Sequence, residues 1–200
     1  MLPLGGTGRR PKGAPVTLHR VHLTDCPPQP WRNGGGVTRE LLAWPQAADW
    51  RLRVSAADVE RDGPFSPFPG VDRWFAVMEG DGVELALPDG SVSIGPGDAP
   101  LRFDGEAAPA CALLHGPSRD LNLMVRRGAG VAAMRNAHAG DHLEGSFAWC
   151  AVYVADLALL DLDEHTEPLP AGTLLWSDGG DSLSWHLRAA GRAWWLTLEA

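Results

Sequence analysis

The segment FSPFPGVDRWFAVMEG, residues 65–80, decides how this chain folds. Its first part predicts a turn, because Pro67 and Pro69 fix φ and lack an amide proton, and Gly70 accepts the bend. Its second part predicts a strand of apolar β-forming residues, which ends at the Gly-Asp-Gly hairpin signal of residues 80–82. A chain organised around this unit is predicted to be built from β-strands and turns.

Arg73 is the residue of this strand that does not suit a hydrophobic core. Side-chain alternation places it on the same face as Phe75 and Val77. A guanidinium among buried apolar groups is costly unless it meets an anion or several acceptors. The sequence leaves two alternatives: Arg73 reaches solvent at the end of the strand, or it faces a pocket that holds a partner for it.

The composition favours many short strands over long helices, since 24 glycines and 17 prolines interrupt the 200 residues. That length suits one large β domain or two smaller halves. Turn signals of the first half recur in the second, where residues 170–173 echo the turn at residues 95–98. This weak repeat predicts two β-barrels or two stacked sheets in tandem.

The net charge limits the kinds of binding partner that are expected, and the cysteine content indicates the cellular compartment. A net charge of −8 argues against a nucleic-acid backbone or an anionic membrane surface as the main partner. Three cysteines without Cys-x-x-Cys spacing favour a reducing cytoplasm over a disulfide framework. No apolar run reaches the length of a membrane span. Residues 1–15, rich in glycine, proline and basic side chains, predict a disordered lead-in.

Polar side chains share one face in each of three predicted strands of the first half. An antiparallel sheet commonly shows such a face to water. Alternatively, these faces line the mouth of a barrel and direct arginines at a small anion. The three sets are Thr38 with Glu40, then Arg51, Arg53 and Ser55, and finally Asp120, Asn122 and Arg126.

A pocket built from these residues would suit a small carboxylate. Arg73 and either Arg51 or Arg53 would hold the carboxylate by forked hydrogen bonds. Glu40 and Asp120 would either fix the arginines or act as acid and base, and spacing does not separate those roles. Other candidates are amide and hydroxyl groups for neutral atoms and aromatic rings for the walls: Asn33, Ser55, Asn122, Trp31, Phe65, Phe68 and Phe103.

No metal, cofactor or catalytic nucleophile is predicted. His138 and His142 stand four residues apart, a spacing that would bind zinc on a helix. Gly140 makes a helix doubtful there, so a polar surface loop is the favoured interpretation. Residues 129–139 have room for a helical turn or two. No Gly-x-Ser-x-Gly elbow and no Cys–His motif indicates nucleophilic catalysis.

Four motifs in a fixed order resemble the HutD/Ves family over nearly the whole chain from about Val16. They are WRNGGGVTRE at 31–40, WRLRVS at 50–55, FSPFPGVDR at 65–73 and GPSRDLNLMVR at 116–126. The resemblance implies an all-β, cupin-type (RmlC-like) double-stranded β-helix with two barrels in tandem, a bicupin. Residues 16–127 are then expected to form an N-terminal barrel with the pocket, and residues 128–200 a smaller C-terminal barrel.

The resemblance also implies a function. HutD proteins are linked to histidine utilisation and are thought to bind an intermediate such as urocanate or N-formylglutamate. The family's pocket arginine falls on Arg73, and the histidine-rich motif of metal cupins is missing around residues 77–103, which implies a metal-free binder. A homodimer is allowed. Residues and resemblance together give this ligand-binding set: Arg73, Asn33, Thr38, Glu40, Arg51, Ser55, Phe103 and Asn122.

Three alternatives stay open at this point. The first is a metal-independent cupin isomerase or lyase that uses Glu40 or Asp120 as its base. The second is a Ves-like protein associated with stress. The third is a structural or interaction protein with a vestigial pocket.

Overall fold

The computed structural model describes residues 17–162 and 165–200, with the backbone alone for residues 180–182. The predicted lead-in, residues 1–15, lies outside the described residues. Strands dominate, and the helices of the described chain are single 3-10 turns at Leu23–Asp25, Ala47–Asp49 and Gly105–Ala107. No helix within these ranges is long and apolar enough to cross a membrane. The prediction of an all-β chain is confirmed.

Nineteen strands run through the described residues. In chain order they are β1 Leu18–His22, β2 Pro28–Pro30, β3 Gly36–Trp44, β4 Leu52–Val59, β5 Gly63–Pro64, β6 Val71–Glu79, β7 Val83–Leu87, β8 Gly90–Ile94, β9 Leu101–Asp104, β10 Ala110–Leu113, β11 Ser118–Arg126, β12 Val131–Ala137, β13 His142–Phe147, β14 Trp149–Val154, β15 Ala158–Leu162, β16 His165–Leu169, β17 Thr173–Ser177, β18 Gly180–Ala190 and β19 Ala193–Glu199.

The strands form four antiparallel sheets. The first half of the chain holds a six-stranded sheet, β2-β3-β4-β11-β6-β9, and a four-stranded sheet, β5-β10-β7-β8. The second half holds a five-stranded sheet, β1-β17-β14-β19-β12, and another four-stranded sheet, β13-β18-β15-β16. None of the sheets closes on itself in the described chain, so each half is a pair of open, facing sheets and the tandem-barrel arrangement stays a prediction.

Three apolar clusters hold the sheets together. One lies between the sheets of the first half and includes Phe75, Val77 and Leu85. A second lies between the sheets of the second half and includes Trp195. The third joins the two halves, because the outer faces of the six-stranded and five-stranded sheets pack together through residues such as Trp149. Strand β6 serves two clusters at once, which explains its continuous apolar sequence.

Strand β6 shows how alternation sorts side chains between clusters. Trp74, Ala76 and Met78 point to the interface between the halves. Phe75 and Val77 point into the first half. The predicted partition of this strand is therefore observed, with Arg73 on the inward side and 7% exposed. The alternative in which Arg73 reaches bulk solvent is wrong.

Two local predictions differ from the structure. Residues 131–137 form strand β12 instead of a helical turn, and the strand pairs along its length with β19. Strand β1 hydrogen-bonds to β17 and so joins a sheet of the second half, although it lies within the segment predicted as the first barrel. The division between residues 127 and 128 otherwise stays a prediction.

The turn before β6 is fixed by close backbone packing. Gly70 has a φ of +71°, which favours glycine. The Phe68 amide donates to the Gly105 carbonyl at 2.8 Å. A Cβ at Gly105 would lie 2.8 Å from the Val71 carbonyl oxygen, so that position has no room for a side chain. This packing sets where β6 begins and hence where Arg73 points.

Candidate ligand-binding cavity

A cavity of about 580 Å³ opens on the inner face of the six-stranded sheet, and we call it the Arg73 cavity. Its floor is formed by inward side chains of three neighbouring strands, β4, β6 and β11. The floor is polar, and the walls are proline and aromatic side chains from the segments at residues 30–31 and 64–68. The floor residues are Arg53, Ser55, Ala57, Arg73, Asn122 and Met124.

Arg73 is bonded by a neutral partner. Its Nε donates to Asn122 Oδ1 at 2.9 Å, and one terminal nitrogen donates to the same oxygen at 2.6 Å. No carboxylate of the described residues forms an ion pair with this guanidinium. A guanidinium carries five N–H donors, so donors are left over for a ligand. The arrangement is a buried cation at a cavity surface whose bonded partner among the described residues is an amide and not a carboxylate.

Aromatic rings surround the guanidinium of Arg73. Its Cζ lies 4.4 Å from the ring centroid of Phe65, 5.4 Å from that of Phe103 and 6.0 Å from that of Phe75. Ring faces attract a cation and exclude water from it. These rings therefore hold the charge in place without neutralising it.

Burial acts on the ionisation of Arg73 and of Asp120. Removal from water lowers the pKa of Arg73 to about 10, and the negative charge of Asp120 opposes that change. Arg73 therefore stays charged at neutral pH. Burial raises the pKa of Asp120 to about 7, against a hydrogen bond from Ser118 and the charge of Arg73. The side chain of Asp120 is fully buried and is not part of the cavity lining.

A second arginine of the floor is already neutralised. Arg53 Nε donates to Glu40 Oε2 at 2.6 Å. Glu40 itself is not among the residues that line the cavity. Arg53 thus offers a lining surface with its charge paired, whereas Arg73 offers an unpaired charge.

The loop before β3 supplies one wall. Trp31 Nε1 donates to Thr38 Oγ1 at 2.8 Å, which fixes the indole against the cavity. The Asn33 side chain accepts from the Gly35 amide at 3.0 Å and thereby orders the triple-glycine turn. A Cβ on Gly36 would lie 2.3 Å from the Asp58 carbonyl oxygen, so this glycine allows the loop to lie against β4.

The structure brings five of the predicted ligand-binding residues together at the cavity: Asn33, Thr38, Ser55, Arg73 and Asn122. Three others do not line it. Glu40 is turned to Arg53. Phe103 packs against Arg73 from the apolar core. Arg51 bonds the Ala129 carbonyl and lies over the Trp44 ring at 5.7 Å, because it precedes β4 and is not bound by the alternation of that strand.

Some lining residues were missing from the predicted set. Met124 alternates with Asn122 along β11, so the period of two could have found it. Gln29 and Pro30 lie in a proline-rich segment, a composition that usually interrupts a strand. They form β2, which pairs with β3 at an edge of the sheet, where prolines are tolerated.

The histidines considered for zinc do not form a helix. Residues 139–140 make a turn, and His142 begins β13 with its ring stacked on His186 at 4.3 Å. No set of three or more His, Cys, Asp or Glu side chains in the described ranges is arranged to hold a metal ion.

Residues 23–195 match the family model named HutD. The chain belongs to the HutD family. Two curated relatives agree with this assignment: an uncharacterised 21.2 kDa protein in the hutC 3′ region of Pseudomonas putida, 42% identical over 113 residues, and protein Ves of Citrobacter koseri, 38% identical over 109 residues. Each match covers 54% of this chain and 57% of the relative.

Solved structures show the same fold. HutD from Pseudomonas fluorescens SBW25, determined in a formate condition, aligns with a TM-score of 0.82 over 92% of this chain and 98% of that chain, at 24% identity. A mutant salicylate 1,2-dioxygenase of Pseudoaminobacter salicylatoxidans, in complex with gentisate, aligns with a TM-score of 0.60 over 91% of this chain and 82% of that chain, at 10% identity. At these identities the likeness concerns the fold, which is all-β and cupin-like.

Proposed function

We propose that this HutD-family chain is a small-molecule binding or regulatory protein linked to histidine utilisation. Its ligand is a small carboxylate such as urocanate or N-formylglutamate, held in the Arg73 cavity. One observation carries the proposal: a guanidinium that is 7% exposed and lines a cavity is bonded by an amide oxygen and by no carboxylate of the described residues.

The chemistry of the walls supports a ligand with a flat or short chain behind its carboxylate. Charge-assisted hydrogen bonds from a guanidinium suit a carboxylate, because the two planar groups match. Trp31, Phe65 and Phe68 offer apolar faces beside it. Asn33 and Ser55, which also line the cavity, would bond a polar group elsewhere on the ligand.

The proposal extends to the setting of the protein. The two facing sheet pairs would correspond to tandem cupin units, and the protein would act in the cytoplasm. A small carboxylate metabolite would be its partner, with no role for nucleic acid, membrane, metal or cofactor, and a homodimer is compatible with this function. The P. putida relative, from the hutC 3′ region, supports the link to histidine utilisation.

Isothermal titration calorimetry with urocanate and N-formylglutamate tests the proposal. We expect the wild-type protein to bind at least one of them, and Arg73→Met to weaken that binding about 10- to 100-fold. A hydrogen bond to a charged group contributes about 1.5–3 kcal/mol, and each tenfold in affinity is about 1.4 kcal/mol.

Arg102→Met is the matched control. This arginine lies on the neighbouring strand β9, is 62% exposed at its side chain and pairs with Asp72 outside the cavity. It should leave binding unchanged. Equal binding by wild type and Arg73→Met, or binding of neither compound by wild type, would overturn the proposal.

The likeness to protein Ves favours a second candidate, a stress-associated role. In that case neither histidine-pathway compound would bind, and the gene would lie apart from histidine-degradation genes. A map of the neighbouring genes separates the two candidates before any protein is purified.

A further inference from the structure

Asp120 lies two residues before Asn122 in β11, so the two side chains are on the same face of the strand. The partners of Asp120 across the sheet are Ala57 on β4 and Val77 on β6. Oδ1 accepts a hydrogen bond from Ser118 Oγ at 2.7 Å. Oδ2 is buried and has no hydrogen-bond partner in the described chain. A carboxyl group thus lies behind the cation of the cavity with one oxygen unsatisfied.

Few charges act on this carboxyl group. Arg73 faces it from β6, and Cys111 faces it from β10 as a buried thiol with its pKa raised to about 12. Asp58 acts from β4 but is paired with Arg39 at 2.7 Å and Arg119 at 2.6 Å. Arg73 is therefore the one group of the described residues whose charge favours ionised Asp120 and is not paired with a carboxylate.

An anion on Arg73 would remove that support. A carboxylate bound to the guanidinium offsets its positive charge and adds a negative charge near a second negative charge. Two like charges in a site of low dielectric favour protonation of one of them. The buried Oδ2, which has no donor beside it, is the atom where that proton would reside.

We propose that Asp120 takes up one proton when a carboxylate binds to Arg73, so that the cavity selects anions together with a proton. This inference deepens the proposed function and depends on it. It makes Asp120 a specificity-determining residue: a carboxylate gains affinity as the pH falls, whereas a neutral amide of the same shape does not.

Calorimetry in buffers of different ionisation enthalpy measures the proton directly. N-formyl-L-glutamate is the probe, since its own groups do not titrate near pH 7.5. Because Asp120, with a pKa of about 7, is already about one quarter protonated at pH 7.5, we expect the wild type to take up about half to three quarters of a proton per ligand at that pH. We also expect its Kd to weaken several-fold, and at most about tenfold, per pH unit between pH 7 and 9. Asp120→Asn should take up no proton and show a flat Kd.

Asp89→Asn serves as the control, because this carboxylate is exposed in the turn between β7 and β8. It should behave as the wild type. If wild type binds N-formylglutamate without proton uptake, the role of Asp120 is wrong while the proposed function stands. If wild type binds neither N-formylglutamate nor urocanate, the proposed function itself fails, and this inference with it.

A second measurement avoids dependence on the variant. Carbon-13 NMR of the Asp120 carboxyl in wild-type protein follows its titration with and without saturating N-formylglutamate. The ligand should move the titration midpoint to higher pH by about one unit or more. An unchanged or lowered midpoint with ligand bound would overturn the inference.

Discussion

The inner face of the six-stranded sheet carries Arg73 and Asn122, whereas the inner face of the five-stranded sheet carries Cys150, Leu175 and Trp195. Both faces look toward a four-stranded sheet. In the second half, the rings of Trp185 and Trp195 lie 6.3 Å apart within the apolar cluster between the sheets. In the first half, the corresponding space is partly a cavity. The two halves have the same kind of sheet pair, and the inward side chains decide whether the space between the sheets is a packed core or a cavity.

The first half is held by a second apolar cluster besides the one between its own two sheets. Its outer face shares the third apolar cluster with the second half, through large residues such as Trp74 and Trp149. Burial there does not depend on the Arg73 cavity. The comparison shows that buried polar side chains on one face of the six-stranded sheet are tolerated because the other face is packed against the second half.

The largest expected effect comes from removing a large side chain from the apolar core of the second half. Trp195→Ala should lower the free energy of unfolding by about 3–5 kcal/mol, because it leaves a void in a packed core. Urea denaturation measures the loss. Leu157→Ala, at a side chain that is 66% exposed, is the control and should change little. Equal effects of the two substitutions would contradict the picture of a filled second half.

The second largest effect is expected in how the free energy of unfolding depends on pH, through Asp120 in the first half. The pKa of Asp120 is raised from 3.8 to about 7 in the folded protein. Between these values the folded state keeps a proton that the unfolded state has lost, so stability falls as the pH rises from 4 to 7. At about 1.4 kcal/mol per unit, this contributes about 2–4 kcal/mol.

Asp120→Asn should remove that part of the slope and be the more stable protein at pH 8. Urea denaturation at pH 5 and pH 8 measures the change in stability for each protein. A wild-type profile no steeper than that of the variant would show that the charge of Asp120 is compensated by another group.

A smaller effect, of opposite sign to that of Trp195→Ala, is expected at Arg73. Arg73→Met should leave the protein as stable as wild type or raise stability by about 1–2 kcal/mol, because a buried cation that is bonded to no carboxylate is replaced by an apolar side chain. Thermal denaturation at pH 5.5, where Asp120 is protonated, avoids leaving a second charge unpaired. A loss comparable to that of Trp195→Ala would mean that Arg73 is structural.

The smallest effect is expected where the two halves meet at the surface. Arg192 binds Asp156 through two nitrogens at 2.9 Å each and also bonds the Met78 carbonyl. These bonds lower the pKa of Asp156 to about 2. Their stabilisation is present above pH 4 and is lost as the pH falls through 2.

Because both side chains of this pair are about 40% exposed, Asp156→Asn should cost less than about 1 kcal/mol at pH 6. Urea denaturation at pH 6 and at pH 2 measures the cost, which should be much smaller at the lower pH, where Asp156 is about half protonated. A cost that is unchanged at pH 2 would assign the effect to something other than the ion pair.

Alternation explains what the sequence revealed about the site. A period of two placed Arg73 inward on β6, and it placed Ser55 and Asn122 inward on β4 and β11, because each lies inside its strand. Arg51 was wrongly predicted to face the cavity, because β4 begins at Leu52 and the alternation of the strand does not extend to residue 51. Local patterns also carry no information about the pairing of β1 with β17, which joins residues far apart in sequence.

Asp120 shows a different limit. The sequence placed it on the same face as Asn122, and spacing left its role open between ion-pair partner and acid–base group. Its isolation from any donor for Oδ2 depends on what β4, β6 and β10 place around it. Burial of that kind is a property of the packed sheets and is invisible in one strand.

The crossing of β1 has a practical consequence for dissecting the molecule. Within the five-stranded sheet, β1 covers the free edge of β17. A fragment that starts at residue 128 would leave that edge bare and prone to pair with other copies. Supplied as a separate peptide, residues 17–26 would be expected to restore solubility to such a fragment, in the manner of a missing strand donated from outside.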